Sequence, residues 1–292
     1  PRKGLVGAVA LVLSAMFAIG VALLLERLDN SLRTSQEVEE YLGLAHLVSL
    51  PLVPDEKGPS GKKMLPQEYL LNKPLSAYAE SLRSLRSALA LSNVDSPPKL
   101  LLFTSALPNE GKTTTSISFA RAAAESGLHV ILIDCDLRHP SVHKGLGGAN
   151  PEFGLVELLA GKAGIDEVLA TDGMSPLSYI PIASGSANPP DVLSSMQMRR
   201  LLDDLRNRYD LVILDSAPVL PVSDSRVLSK LVDKTVFVVR WAETPKEAAA
   251  GGVRELRNYS ADIAGVVLSA VDTTKQAKYG YGDGGYYYRR YS

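Results

Sequence analysis

From Lys99 onward, short apolar runs alternate with longer amphipathic stretches. Several of these runs are apolar at every position, which is typical of parallel strands that helices cover on both faces. Strands that alternate with helices predict a doubly wound α/β fold with a mostly parallel sheet. The predicted strands span residues 100–103, 130–133, 177–182, 211–214, 235–239 and 263–268. The predicted helices span residues 113–126, 154–159, 191–208, 224–231 and 245–258.

The amino-terminal residues 4–25 contain no charged side chain. As a helix that rises 1.5 Å per residue, this stretch would span roughly 33 Å, which is enough for the hydrocarbon core of a membrane. The alternatives are a signal peptide and a buried helix. A signal peptide would be followed by small residues at a cleavage site, whereas Glu26 and Arg27 follow here. We therefore predict one transmembrane helix within residues 1–26.

Residues 27–73 have the pattern of a juxtamembrane segment and a linker. A charged helix is expected over residues 26–42, where Ser35 could cap the last part. Residues 51–66 are rich in Pro, Gly, Ser and Lys, which is typical of a linker. A helix then follows over residues 74–92, with leucines at helical spacing.

The remaining chain divides into a compact domain, over residues 74–272, and a tail, over residues 273–292. Glycines interrupt the tail, so a packed element is not expected there. Tyrosine is normally kept for cores and interfaces, so a flexible tail full of tyrosines requires an explanation. A sticky interaction tail and a low-complexity remnant are the alternatives to a modified segment. The tail tyrosines are Tyr279, Tyr281, Tyr286, Tyr287, Tyr288 and Tyr291.

A loop ending in Gly-Lys-Thr joins the first predicted strand of the domain to a predicted helix, as in a phosphate-binding loop. Backbone N–H groups and a helix N-terminus would surround the phosphates of ATP. Lys112 would reach the outer phosphates, and the Thr113 hydroxyl would bind Mg²⁺. Ala106 stands where glycine is common, which is tolerable if its φ is negative. The candidate nucleotide contacts are Ala106, Leu107, Pro108, Asn109, Glu110, Gly111, Lys112, Thr113 and Thr114.

Three aspartates follow predicted strands, at the edge of the sheet where ligands of such folds bind. Asp134 and Asp136 follow the second strand, and Asp215 ends a later one. Asp215 fits a carboxylate that holds Mg²⁺, directly or through water. Asp134 and Asp136 would face opposite sides of a continuing strand, so one could serve the metal and the other an incoming hydroxyl. Alternatively, a strand-end aspartate only caps the following turn.

These motifs resemble those of the bacterial tyrosine kinases known as BY-kinases, whose domain resembles the partitioning-type P-loop ATPases. The apolar strand followed by Asp134-Cys135-Asp136-Leu137-Arg138 resembles the second Walker motif of that family. The Glu-x-x-Arg-x-x-Arg segment at Glu80, Arg83 and Arg86 resembles the one that contacts the neighbouring subunit in a ring. An upstream transmembrane helix and a tyrosine-rich tail agree with the resemblance. On the residues alone, that segment is equally an ordinary helix with a Glu80–Arg83 pair.

The resemblance implies transfer of a phosphoryl group from ATP to the tail of an adjacent subunit. It suggests Asp134 as the proton acceptor, with Asp136, Asp215 and Thr113 organising Mg²⁺ and Lys112 neutralising developing charge. Tail phosphorylation would separate the ring. Residues beyond the transmembrane helix would face the cytoplasm at a bacterial inner membrane.

By the same resemblance, the biological role is control of capsular or exopolysaccharide synthesis and export. The implied partners are a polysaccharide polymerase or export machinery and a cognate tyrosine phosphatase. One alternative is a chain-length regulator with ATPase but little kinase activity. Another is a partitioning-type positioning ATPase, whose loop carries an early lysine where Leu107 stands here.

Charge and cysteine content narrow the remaining classes. The 31 Lys and Arg residues nearly balance the 32 Asp and Glu residues, for a net charge of -1. The basic residues are scattered, so there is no electrostatic case for a nucleic-acid partner. Cys135 is the one cysteine of the sequence, which excludes an intrachain disulfide and fits a reducing compartment.

Overall fold

The computed structural model describes residues 4, 7, 11–20, 30–58, 61, 63–93, 95–185 and 188–276. The chain divides into two compact units, Pro1–Ser31 and Leu32–Ser292. In the first unit, residues 11–20 are helical and their side chains are exposed. Among the residues described, no helix combines the length and the apolar character needed to span a membrane. Much of the predicted transmembrane helix, including residues 21–26, lies outside the described ranges.

A single sheet of eight strands organises the second unit. The strands are β1 (His46–Pro51), β2 (Leu100–Ser105), β3 (Val130–Asp134), β4 (Ala170–Thr171), β5 (Ser178–Ile180), β6 (Leu211–Asp215), β7 (Lys234–Arg240) and β8 (Ile263–Val271). Their order across the sheet is β1-β8-β7-β2-β6-β3-β5-β4. Within the described residues, β4 and β5 pair antiparallel and the other neighbours pair parallel. The expected mostly parallel α/β sheet is therefore confirmed.

Helices surround this sheet. They are α1 (Ser35–Leu42), α2 (Pro66–Asn72), α3 (Ala77–Leu91), α4 (Lys112–Glu125), α5 (Val142–Gly145), α6 (Leu155–Leu159), α7 (Ile165–Val168), α8 (Pro189–Ser194), α9 (Met196–Arg208), α10 (Asp224–Leu228), α11 (Lys246–Asn258) and α12 (Thr273–Gln276). Alternate residues of β2 join different cores, because successive strand side chains point to opposite faces. Leu101 and Phe103 pack with α3 and α4, whereas Leu100 and Leu102 pack with α9. Burial on both faces explains why β2 is apolar over most of its length.

One predicted helix is two helices in the structure. The stretch 191–208 breaks at Ser195, whose ψ of 157° is extended rather than helical. The Ser195 hydroxyl accepts a hydrogen bond from the Met198 backbone N–H at 3.2 Å, so it caps α9. Serine is favoured at helix N-caps but is also tolerated within helices, so its presence alone does not reveal the break.

The segment expected to be juxtamembrane and linker contributes an edge strand. In β1, Val48 pairs with Val267 of β8, and Val48 and Leu50 are buried. The compact unit accordingly begins near Leu32, so residue 74 does not mark its edge. The strand is short and only its alternate positions are buried, a weaker signal than a continuous apolar run.

The helix that precedes this strand is also shorter than expected. Within the described residues it spans Ser35–Leu42, and its cap is Thr34 rather than Ser35. The Thr34 hydroxyl accepts from the Glu37 backbone N–H at 3.1 Å, while the Glu37 carboxylate accepts from the Thr34 N–H at 3.2 Å. This reciprocal pair is a capping box.

A buried ion pair joins helix α4 to the residue that follows β4, the last strand at one edge of the sheet. Arg121 of α4 donates from Nε and Nη2 to the two carboxylate oxygens of Asp172, each at 2.8 Å. Its Nη1 donates to the Gln67 carbonyl oxygen at 2.6 Å. Both charged side chains are 0% exposed. Such a pair is satisfied only while both partners are present.

We predict that Asp172→Asn lowers the free energy of unfolding by about 3 kcal/mol, because it leaves the Arg121 charge buried without a counter-charge. Urea unfolding followed by circular dichroism measures the change. The matched control is Asp204→Asn, since Asp204 pairs with Arg208 at the surface and should change stability by less than about 0.5 kcal/mol. If the two variants lose the same free energy of unfolding, the buried pair contributes no more to stability than the surface pair.

Candidate active site

The loop between β2 and α4 has the backbone conformation of a tight turn. Asn109 and Gly111 have φ values of 65° and 89°, in a region that glycine enters freely and asparagine more readily than most residues. Ala106 is not among the described residues with positive φ, so alanine is tolerable there. Ala106 is buried, and a Cβ atom on Gly252 of α11 would lie 3.2 Å from its own Cβ. The start of the loop therefore packs closely against α11.

A cavity of about 730 Å³ opens beside this loop, at the carboxyl ends of the strands. Its volume lies in the range of small-molecule sites. Ala106, Leu107 and Glu110 do not line it, although they were predicted nucleotide contacts. Among the described lining residues, Asp136 is the only carboxylate. The loop residues that line the cavity are Pro108, Asn109, Gly111, Lys112, Thr113 and Thr114.

A smaller cavity shares part of this wall. Its volume is about 230 Å³, and Gly111, Thr114 and Arg240 line both cavities. Leu52 and Met64 contribute apolar surface to the smaller one. These two residues belong to the stretch expected to be a linker, so that stretch forms part of a cavity wall beside the loop.

Lys112 lies among the strand-end carboxylates. Its Nζ is 2.9 Å from Oδ2 of Asp136 and 4.0 Å from Oδ2 of Asp215. Burial opposes the lysine charge, but the carboxylates of Asp215 and Asp136 outweigh it and raise the pKa of Lys112. Lysine is therefore held as an ammonium group at the cavity wall.

Asp215 holds the hydroxyl groups of α4. Thr113 Oγ1 donates to Oδ2 of Asp215 at 2.6 Å, and Ser116 Oγ donates to Oδ1 at 3.1 Å. Burial raises the pKa of Asp215, although Lys112 and the Thr113 hydroxyl oppose the shift. Sequence reasoning missed Ser116, although its position three residues after Thr113 places it on the same helix face.

Asp134 lies behind the cavity wall. Its carboxylate is fully buried and accepts backbone hydrogen bonds from Asp136 at 3.2 Å and from Ser141 and Val142 at 3.0 Å. Burial, with the charge of Asp215, raises the pKa of Asp134 to about 7, against these hydrogen bonds. Asp134 does not line the cavity. This geometry gives no support to Asp134 as the group that meets an incoming hydroxyl, because its oxygens already hold the 136–142 turn.

Glu110 turns its side chain away from the cavity. The side chain is almost completely buried, and its carboxylate accepts from the Leu107 N–H at 2.7 Å and from the Thr244 hydroxyl. Burial raises the pKa of Glu110, and these two hydrogen bonds oppose the shift. The Ser269 hydroxyl donates to the Glu110 carbonyl oxygen at 2.6 Å. Thr244 and Ser269 carried no signal in the sequence, since they lie more than a hundred residues beyond the loop.

Arg138 links the two loops that carry the carboxylates. Its Nε and Nη2 donate to the two oxygens of Asp224, at 2.9 and 3.2 Å. The Asp224 side chain is 0% exposed, whereas that of Arg138 is 39% exposed and lines the cavity. Asp224 begins α10, nine residues after Asp215, so this bidentate pair joins the loops after β3 and β6.

The remaining predicted site residues lie elsewhere. Glu80 and Arg83 are on the solvent side of α3, where Arg83 Nε donates to Glu80 at 2.8 Å. Arg83 also donates twice to the Pro74 carbonyl oxygen at 3.0 Å. Arg86 is half-buried on the same helix. None of the three lines the cavity beside the loop. The six tail tyrosines lie outside the described residues.

The donor atoms at the cavity suit Mg²⁺ better than a softer metal. The carboxylate of Asp136 and the hydroxyl of Thr113 are hard oxygen ligands. The Lys112 ammonium group already lies beside Asp136, which shows that this carboxylate accepts a positively charged partner. In the described part of the chain, no group of three His, Cys, Asp or Glu side chains could enclose a metal ion. Mg²⁺ does not require one, because it keeps several waters and binds substrate phosphates.

Fold and site together define a P-loop nucleotide-binding protein. The family model described as an AAA domain matches residues 109–264. The putative tyrosine-protein kinase EpsB of Ralstonia solanacearum is 31% identical, over 100% of this chain and 39% of its own length. The tyrosine-protein kinase YwqD of Bacillus subtilis is 31% identical, over 76% of this chain and 93% of its own.

A solved structure agrees with these relatives. The kinase domain of the Escherichia coli tyrosine kinase ETK superposes with a TM-score of 0.76 at 28% identity, covering 83% of this chain and 96% of that domain. The chain belongs to the family of bacterial tyrosine kinases. It spans about two fifths of the length of relatives such as EpsB.

We predict an asymmetry between the partners of the Arg138–Asp224 pair. Arg138→Met leaves the buried Asp224 charge unpaired and should lower the free energy of unfolding by about 3 kcal/mol. Asp224→Asn leaves Arg138 in contact with solvent and should cost less than half as much. Chemical denaturation of both variants measures the difference.

The double variant Arg138→Met/Asp224→Asn is the control for this asymmetry. It removes both charges, so it should recover most of the stability that Arg138→Met loses. If the double variant is instead as unstable as the sum of the two single ones, the loss does not arise from an unpaired charge on Asp224.

Proposed function

We propose that this chain is an ATP-dependent protein-tyrosine autokinase that phosphorylates the tail of a neighbouring copy. The observation that carries the proposal is the convergence of the Lys112 ammonium, the Asp136 carboxylate and the Thr113 hydroxyl on one cavity beside a Gly-Lys-Thr loop. A loop N–H array and a lysine bind phosphates, and the carboxylate adds the means to receive a proton. An ATP-hydrolysing switch alone would have no use for a tyrosine-rich tail.

The phosphates of ATP would lie in the larger cavity, against the loop and the start of α4. Lys112 would exchange its contact with Asp136 for one with the outer phosphates. The smaller cavity, with apolar surface from Leu52 and Met64, suits the flat ring of a nucleobase. The segment predicted to be juxtamembrane and linker, residues 27–73, would thereby contribute to ATP binding.

Thr113 and Asp136 would hold Mg²⁺, and Asp215 would act through the Thr113 hydroxyl that it fixes. Bound Mg²⁺ would neutralise charge on the phosphates during transfer. Asp215 therefore serves as the anchor of this arrangement, and Ser116 braces it from the same helix.

A tyrosine hydroxyl has an ordinary pKa near 10, so it needs a proton acceptor at neutral pH. We assign that contact to Asp136, the carboxylate that lines the cavity. One of its two oxygens would bind Mg²⁺ and the other would accept the proton of the tyrosine hydroxyl. Asp134 would position it, because the Asp136 backbone N–H donates to Asp134. This assignment revises the one that the family resemblance suggested.

The acceptor would be the tail of an adjacent subunit. Glu80 and Arg83 stand together on the solvent side of α3 with Arg86 on the same helix, where they could contact a second copy in a ring. Membership of the tyrosine kinase family supports this arrangement. It also supports a place at the inner face of a bacterial membrane, in the control of exopolysaccharide synthesis and export with a polymerase or export complex and a tyrosine phosphatase.

We predict that incubation with γ-³²P-ATP and Mg²⁺ labels tail tyrosines, and that Lys112→Met reduces the label by at least about a hundredfold, because transition-state charge then lacks its ammonium partner. Phosphoamino-acid analysis and mass spectrometry of the tail measure the label. The matched control is Lys162→Met, at an exposed lysine, which should be labelled like the wild type. Label that survives the loss of Lys112 would contradict the proposed mechanism.

We also predict that phosphorylation disperses the oligomer. Each phosphotyrosine adds roughly −1.5 to −2 charges, so six would bring on the order of −10 to the tail. Such tails repel one another and fit poorly beside the acidic strand ends. Analytical ultracentrifugation before and after phosphatase treatment measures the change, with larger species expected after treatment. An unchanged sedimentation coefficient would refute the switch.

A further inference from the structure

The phosphate-binding loop contains a buried carboxylate that the cavity does not use. Glu110 precedes Gly111 and Lys112, yet its side chain is 3% exposed and does not line the cavity. A carboxylate so close to a polyphosphate site would repel the ligand if it faced the cavity. The hydrogen bonds that keep this side chain turned away from the cavity therefore bear on phosphate binding.

Hydrogen bonds from the Leu107 N–H and the Thr244 hydroxyl hold the Glu110 carboxylate, and the Ser105 hydroxyl and the Ala106 N–H add to them. Oε2 accepts from the Leu107 backbone N–H at 2.7 Å, which closes the loop upon itself across three residues. Oε1 accepts from the hydroxyl of Thr244, which is 2% exposed. Since Thr244 Oγ1 also accepts from the Arg240 N–H at 3.0 Å, its proton is directed towards Glu110.

A separate hydrogen bond fixes the peptide group of Glu110. The Ser269 hydroxyl, on β8, donates to the Glu110 carbonyl oxygen at 2.6 Å. A Cβ atom on Gly111 would lie 3.2 Å from Oγ of Ser269, so the loop backbone rests directly on this side chain. With this carbonyl turned towards Ser269, an acceptor is kept out of the cavity, as an anion site made of N–H groups requires.

The position of Thr244 is itself fixed from the other side. The Leu32 backbone N–H donates to the Thr244 carbonyl oxygen at 3.4 Å, and the Ala242 N–H donates to the Leu32 carbonyl oxygen at 3.0 Å. Leu32 is 0% exposed and shares one apolar cluster with Ala106. The segment that presents the Thr244 hydroxyl is therefore fixed by backbone hydrogen bonds and by the packing of Leu32.

We propose that Thr244 and Ser269 are positioning residues that set the phosphate-binding conformation of the loop through Glu110. This inference rests on the nucleotide-binding part of the proposed function and does not require the kinase step. Without the Thr244 contact, the loop occupies the phosphate-binding conformation for a smaller fraction of the time. The apparent affinity for nucleotide falls in proportion to that fraction.

Thr244→Val tests the proposal because it removes the hydroxyl and keeps the shape. The dissociation constant of mant-ADP with Mg²⁺, measured by fluorescence titration, should rise about tenfold. Thr244→Ser keeps the hydroxyl and should bind within about twofold of the wild type. The KM for ATP should rise with the dissociation constant, while kcat at saturating ATP stays within about twofold.

Thr235→Val is the matched control. Thr235 is 0% exposed on the same strand, β7, that leads to Thr244, and its hydroxyl has no hydrogen-bond partner within the described structure. This variant should bind mant-ADP like the wild type. Thermal unfolding without nucleotide separates the two effects, since a purely structural role of Thr244 would lower the melting temperature and leave the affinity unchanged. That result would overturn the proposal.

A double-mutant cycle tests the route through Glu110. In the Glu110→Gln background, adding Thr244→Val should raise the dissociation constant by less than about threefold, because the shared contact is already altered. If the increases in dissociation constant caused by the two single substitutions multiply in full, Thr244 does not act through Glu110. A wild type that binds mant-ADP tightly and responds to Thr244→Val supports the inference even if no tail tyrosine is labelled, whereas a wild type that binds none overturns both.

Discussion

A single ammonium group stands among three buried carboxylates, and much of the site depends on how these charges are balanced. Lys112 contacts Asp136 at 2.9 Å and lies 4.0 Å from Asp215, while Asp134 accepts hydrogen bonds from the backbone N–H groups of the following turn. The three carboxylates are at most 2% exposed. Burying charge without compensation costs several kcal/mol. The raised pKa values of Asp134 and Asp215 express that cost, and the site is therefore receptive to further positive charge.

The sheet brings these carboxylates together through its register. In the parallel pairing of β3 with β6, Asp134 stands opposite Asp215, and β2 places Phe103 opposite Asp215 on the other side. All three strands are apolar until they reach this edge, so the polar groups appear together where the core ends. The bidentate Arg138–Asp224 pair then closes the two loops over the same edge. Strand pairing and the charged pair therefore place the candidate active site at the same edge of the sheet.

The parts that could be predicted from the sequence are those with a local signal. Continuous apolar runs reveal buried strands, and the Gly-Lys-Thr loop between strand and helix reveals the phosphate site. The edge strand at Val48 was missed because half-burial leaves a weaker pattern. The inward turn of Glu110 and the burial of Asp134 depend on partners distant in sequence or on backbone geometry, so no spacing of residue types could indicate them. The resemblance to a kinase family suggested Asp134 as the proton acceptor, a role that we propose for Asp136 instead.

The two faces of the phosphate-binding loop meet opposite requirements. The face towards the cavity must present donors and positive charge, and Gly111, Lys112 and Thr113 line it. The opposite face must supply donors for the oxygen atoms of the loop. The Thr244 hydroxyl, which lies beyond β7, and the Ser269 hydroxyl, which lies on β8, donate to Glu110. Because the Leu32 N–H donates to the Thr244 carbonyl oxygen and the Thr244 hydroxyl donates to Glu110, two consecutive hydrogen bonds join the first residue of the compact unit to the loop. The conformation of the phosphate-binding loop therefore depends on contacts with residues before β1 and after β7 as well as on the loop itself.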